Sequence, residues 1–268
     1  MKRVSASRAL SWIADGFGLM RSQFYRLLLI GLILQFLTGF AQAGPLGLLF
    51  ILAVPALTAG VLQAMHMVSR DGVPPVMTLF VAFQSSRKLL RLFMLGFVML
   101  IAGFLAAGGA LSGALESMDP ELLGALERGD LKTLQSADPQ VIQRLAGSLL
   151  AGLAVSGLLA YFAIPLLWFS GLPLGRALVS GLAGIIFNLP AFLLLVVGMV
   201  LLAMPVGLLL SLLFANAAGS TIMTLLMLLV IVTYQLLFLG VQYFAFRDIF
   251  GIDGGAAEDR DPEGQLLA

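Results

Sequence analysis

His66 is the only histidine in the chain and cysteine is absent, which excludes disulfides, thiolate zinc sites and cysteine nucleophiles. Joined to Ser156, in AVSG, His66 would form a Ser–His dyad inside a membrane. Helix geometry opposes that pairing: at about 1.5 Å per residue, His66 lies roughly 30 Å into its apolar run and Ser156 roughly 17 Å into a parallel one. Four carboxylates, Glu116, Asp119, Glu121 and Glu127, share one polar segment and are the remaining source of acid–base chemistry. Phosphate-binding loops of the Walker type and HExxH are missing, so no nucleotide, metal or other cofactor is expected.

Two Arg-Asp couples, Arg70-Asp71 and Arg247-Asp248, directly follow long apolar runs. An arginine there can reach up to lipid phosphates and complement a helix C-terminus, and the aspartate beside it suits a turn or a cap. The couples are therefore expected to mark the ends of membrane spans, with a contact from Arg247 to a lipid phosphate or to Asp71 as the more specific alternative. Polar side chains inside the apolar runs are neutral, chiefly Gln63, Tyr161, Asn188 and Gln235. They can join helices by hydrogen bonds, or line a cavity for a neutral ligand, for which Gln63, Tyr161 and Gln235 are the candidates.

The elements that would position these groups follow from composition. Of 268 residues, 60% are hydrophobic and 11% charged, which suits a hydrocarbon environment. A net charge of +1 and the lack of basic clusters argue against nucleic acid as a partner and leave membrane lipids as the obvious one. Six segments are long and apolar enough to cross a bilayer as helices: 26–43, 46–68, 89–111, 145–169, 190–214 and 220–246. With the N-terminus inside, twelve of the fifteen Lys and Arg residues fall on the cytoplasmic side, and only Arg128, Lys132 and Arg144 lie outside. This predicts an all-α, multi-pass membrane protein with both termini cytoplasmic.

Ahead of the first span, Trp12, Ile13, Phe17, Met20 and Phe24 recur at helical spacing, as in a helix lying in the headgroup layer. Short apolar-striped segments also follow SRDGVPP and SGLP, the second carrying Leu174, Leu178, Gly181, Leu182 and Ile185. The chain thus reads as three parallel repeats of an interfacial helix plus a helix hairpin, over about 9–71, 77–171 and 177–248 within a membrane domain of 1–251. Pro55 and Pro165 lie inside the even spans of the first two repeats, where each kinks its helix or serves as a hinge. Small residues in GFLAAGGALSG and AGLAVSG, including the Gly109 and Gly113 pair, would let spans three and four approach closely. Trp12, Trp168 and Tyr243 are placed as interfacial anchors.

A polar insertion over 114–144 separates spans three and four; its stretch 116–144 offers two short amphipathic helices and a surface for protein partners. Residues 252–268 are polar and Gly-rich and are expected to form a disordered cytoplasmic tail.

ASRALSWIADGFGLM before the first span, GLPLGRAL after the fourth and YFAFRDIFG closing the sixth resemble an uncharacterised BPSS-type family of bacterial inner-membrane proteins. The resemblance covers most of residues 5–251, and its most specific part is the ending with Tyr243, Phe246, Arg247, Asp248 and Phe250. Ser170-Gly171 departs from the family's pattern of a polar or charged residue before Leu-Pro. The resemblance implies a location in the bacterial inner membrane and no catalytic residues. The leading expectation is a non-enzymatic scaffold or interaction partner; the alternative is a carrier or binder of lipid or another neutral apolar solute.

Overall fold

The computed structural model describes residues 1–39, 47–115, 124, 139–217 and 220–251. The central part of the insertion and the tail at 252–268 lie outside the described residues. Regular structure among the described residues is entirely helical: α1 (Arg8–Ser22), α2 (Phe24–Gly39), α3 (Gly47–Val68), a 3-10 segment (Val76–Gln84), α4 (Ser86–Leu115), α5 (Pro139–Phe169), α6 (Leu174–Phe187), α7 (Leu189–Ala217) and α8 (Thr221–Phe250). The polar insertion is shorter than its sequence suggests, because Pro139 opens α5 at the first helical position and residues 139–144 belong to that helix.

Five helices, α3, α4, α5, α7 and α8, are long and apolar enough to cross a membrane, and the chain is an integral multi-pass membrane protein. The segment expected as the first span has a different form. α1 and α2 pass the same test only as a pair, and they are bent by 99° at Gln23. α2 has 16 residues, about 24 Å at the usual helical rise, and the last residues of the span expected over 26–43 lie outside the described residues.

A short helix followed by two longer ones occurs three times in chain order. Each trio stops on a residue in the left-handed region: Asp71 (φ 58°), Gly171 (φ 61°) and Gly251 (φ 66°). At the first stop the Gly72 N–H donates to Met67 O at 2.9 Å and the Asp71 N–H to Val68 O at 3.0 Å. This is a Schellman closure with Asp71 where glycine usually sits. At the third stop the Gly251 N–H donates to Arg247 O at 3.0 Å.

The packed core lies at one end of the bundle. Trp12, Leu62, Met65, Leu92, Leu167 and Phe246 are among its largest fully buried side chains, contributed by α1, the second halves of α3, α5 and α8, and the start of α4. Lys88 and Arg91 belong to the same end: the Lys88 ammonium lies 4.6 Å from the Trp168 ring centre, and Arg91 Nη1 donates to Gly171 O at 2.7 Å. We call this the basic end. The opposite halves of α4, α7 and α8 are largely bare apolar surface, which lipid solvates as well as protein does.

Glycines set the closest crossings. α4 and α5, the most extensively packed pair, approach at Gly103 and Gly152, where a Cβ on Gly152 would sit 2.6 Å from Gly103 O. Gly109, expected at this crossing, has nothing within 4 Å of a built Cβ. The small-residue segments meet as expected, but through their first glycines. α1 docks on α8 through Gly16 and Gly240, and its buried stripe is Ala9, Trp12, Gly16, Leu19 and Met20. Phe17 is left 55% exposed. The stripe is rotated from the expected one because backbone proximity at two glycines, and not the bulkiest apolar residues, decides which face α1 turns to its neighbour.

Candidate functional site

The helices of the basic end bring several polar side chains together. Asp248, in the last turn of α8, receives the Arg8 Nε–H at 2.6 Å and the Trp12 Nε1–H at 2.8 Å on the same oxygen, Oδ2. One carboxylate thereby fixes α1 to α8. The expectation that this aspartate caps the residues after it is corrected: α8 continues to Phe250, and the carboxylate is turned back toward α1. The two Arg-Asp couples have different jobs. Arg70 and Asp71 are exposed at a helix stop, and Asp71 forms no ion pair with Arg247. Arg247 instead lies over the Phe244 ring, 4.7 Å from its centre.

Trp12, Trp168 and Tyr243 are buried in the protein and do not serve as lipid-facing anchors. Each polar tip has found an internal partner. Trp168 Nε1 donates to Gln63 Oε1 at 2.9 Å, joining α5 to α3. The Tyr243 hydroxyl lies 2.9 Å from His66 Nδ1 and 2.8 Å from Ser69 Oγ, joining α8 to α3. Ser156 donates to Met99 O at 2.8 Å, across the α4–α5 crossing, and so makes no dyad with His66.

Asn188, at the break between α6 and α7, holds the N-terminal segment in place. Its Oδ1 accepts from the Val4 N–H at 2.8 Å, and its Nδ2 donates to Lys2 O and Gly184 O. The Lys2 N–H then donates to Ile249 O at 2.6 Å, so residues 2–4 bridge α8 and the α6–α7 junction.

Pro55 and Pro165 lie within helices that continue past them. Pro165 has no N–H to offer the carbonyl four residues earlier, which belongs to Tyr161. Gln242 Nε2, on α8, donates to that carbonyl. The proline therefore opens an acceptor on α5 that α8 uses for docking. We expect Gln242→Leu to destabilise the bundle by about 1–2 kcal/mol through an unmet carbonyl. Pro165→Ala should remove most of that penalty in the double variant, because the restored N–H satisfies Tyr161 internally. Unfolding of the four proteins of this cycle in detergent provides the check, and additive effects would show the two residues to be independent.

Gln63, Tyr161 and Gln235 do not gather around one cavity, the arrangement that the ligand-lining alternative required. Gln63 is committed to Trp168. Tyr161 is enclosed by the rings of Phe162, Phe192 and Phe238, with its hydroxyl buried and without a hydrogen-bond partner. Gln235 Oε1 is likewise buried and unpartnered. Phe238 and Gln242 of α8 both meet Tyr161 of α5, and Gln235 lies on α8 at helical spacing from them.

No family model, curated protein or solved structure matches the chain. Sequence reasoning found Gln63, Tyr161, His66 and Asp248 but did not find their partners. The one available signal for the Gln242–Tyr161 contact is Pro165 itself, since it identifies in advance the carbonyl that lacks a donor.

A separate cleft of about 310 Å³ opens at the basic end between α1, the end of α3 and the end of α8. Asp15, Gly18, Ser69 and Arg247 are among its lining residues.

Proposed function

We propose that this protein is a non-enzymatic scaffold or interaction partner in the bacterial inner membrane, with both termini in the cytoplasm. The observation that carries the reading is a ladder of small residues on the outer half of α7, a helix with little of its surface covered. Of an 18-residue apolar stretch of α7, 11% is buried, against 61% for the corresponding stretch of α3. Leu201, Leu202, Met204, Leu208 and Leu209 are all exposed although they point around the helix in different directions. Ala203, Gly207 and Ser211 form a small-residue ladder at four-residue spacing on this half, and a Cβ on Gly207 would meet nothing within 4 Å. Small-residue ladders let a second membrane helix approach closely. Conversely, Ser156, His66 and Asp248 already serve helix–helix contacts, which supports structure over chemistry as their purpose.

A photo-crosslinking residue at Leu208 should give a discrete protein adduct in native membranes, whereas one at Leu149 on α5 should not. Gly207→Leu should abolish the adduct. Lipid adducts alone at both positions would reject the scaffold. The orientation is supported by the Lys and Arg distribution, and labelling of single cysteines at Arg3 and Arg70 should succeed only from the cytoplasmic side.

The unsatisfied Tyr161 hydroxyl and Gln235 carbonyl favour a second reading, a binder or carrier of a lipid or another neutral solute with a donor for one and an acceptor for the other. Mass spectrometry of copurifying small molecules would show one enriched species, lost in Gln235→Leu, if this reading holds. Bulk membrane lipid alone would reject it.

A further inference from the structure

The cleft at the basic end borders two charged side chains of opposite sign, Asp15 from α1 and Arg247 from α8. Both are half-buried, and among the described residues neither makes a hydrogen bond or an ion pair. The two do not pair with each other, since the ion pair at this end is Arg8 with Asp248. Asp15 feels the charge of Arg8 and Arg247 that of Asp248, but the carboxylate oxygens of the one and the guanidinium donors of the other are left open to a polar ligand in the cleft.

Arg247 is also positioned by its neighbours. Its guanidinium is held over Phe244, and the adjacent Asp248 is already engaged by Arg8 and Trp12. Its planar fork of donors borders the cleft, an arrangement suited to a phosphate. Leu19 and Phe244 supply apolar wall beside the charges. The ends of α3 and α8 place the cleft at headgroup depth. Its volume is near the lower limit of about 300–1,000 Å³ for small-molecule sites, which suits a headgroup and not a whole lipid.

We propose that this cleft binds the headgroup of a phospholipid that carries both a phosphodiester and a primary ammonium, as phosphatidylethanolamine does. The phosphodiester lies against Arg247 and the ammonium against Asp15, so one ligand neutralises both charges and bridges α1 to α8. The inference is independent of what the outer half of α7 meets.

Gly18 provides a test that alters no charge. A Cβ there meets nothing within 4 Å, so a larger side chain extends into open space beside the cleft and obstructs it without disturbing packing. The delipidated full-length protein in detergent would be titrated with short-chain phosphatidylethanolamine, short-chain phosphatidylcholine or inorganic phosphate, with bound ligand read by native mass spectrometry. Wild type should prefer the ethanolamine lipid to the choline lipid by at least about tenfold, because the quaternary ammonium cannot donate hydrogen bonds to Asp15. Asp15→Asn should remove that preference while keeping phospholipid binding; Arg247→Gln and Gly18→Leu should weaken binding of both lipids by about tenfold or more. Equal binding of the two lipids by wild type, or unchanged binding in Gly18→Leu, would overturn the proposal. Inorganic phosphate that competes at the same concentration as the lipid would assign the cleft to a free anion. If Arg247→Gln fails to fold, Gly18→Leu and Asp15→Asn still decide the matter.

Discussion

Gly60→Ala is expected to be among the most damaging single-methyl substitutions in the protein. Gly60 lies inside α3, where the 3-10 segment crosses it, and a Cβ there would be 2.1 Å from Leu79 O, 2.5 Å from Leu79 C and 2.8 Å from Leu79 Cα. All three are backbone atoms, so no side-chain rotation relieves the overlap; the 3-10 segment or α3 must move. Leu79 is fully buried, and its displacement disturbs the core beneath it. Alanine by itself favours a helix interior by about 1 kcal/mol over glycine. Overpacking costs about 1–3 kcal/mol and more when backbone must shift, so the contact decides the sign. A net loss of about 2 kcal/mol or more would lower the melting temperature by roughly 4–8 °C. Gly157→Ala on α5, where a Cβ meets nothing within 4 Å, is the control and should be neutral or slightly stabilising. Equal melting temperatures for the two variants would show that the 3-10 segment does not rest on Gly60.

Apolar length and helix punctuation were legible because both are local. The spans expected at 46–68 and 220–246 correspond to Gly47–Val68 and Thr221–Phe250, since a membrane helix must satisfy its own backbone over a fixed thickness. Pro139 opens the long α5 and not a short helix within the insertion, a difference set by the apolar run that follows it. What remained hidden depends on two segments meeting. The buried face of α1 could not be read from its own apolar residues, because Gly16 matters only through Gly240 on a helix more than two hundred positions away. The neutral polar residues were found by composition, but the separation of Gln63 from Tyr161 and Gln235 follows from Trp168 claiming Gln63. Arg70-Asp71 and Arg247-Asp248 look alike in sequence, and only the surroundings distinguish a helix stop from a clasp.

That distinction gives the second large effect. Asp248→Ala should destabilise the protein by about 2–4 kcal/mol, because a single carboxylate oxygen receives both Arg8 and Trp12. The greater part comes from Trp12, which is fully buried, so its indole N–H loses its acceptor with no water to replace it. The Arg8 share is smaller: its side chain is 42% exposed, and solvent screens the pair. Arg8→Ala is accordingly expected to cost less than Asp248→Ala, and Asp248→Asn, which keeps an acceptor for the indole, should fall between them. At the other couple the outcome reverses. Asp71 occupies a left-handed backbone conformation at φ 58° with its side chain exposed, so Asp71→Gly relieves local strain and should be neutral or stabilising by a few tenths of a kcal/mol up to about 1. Thermal unfolding of the four variants in one detergent tests the ranking. Were Asp248→Ala to unfold at the wild-type temperature, α1 would be held to α8 by its glycine crossing alone, and the carboxylate would have no part in the clasp.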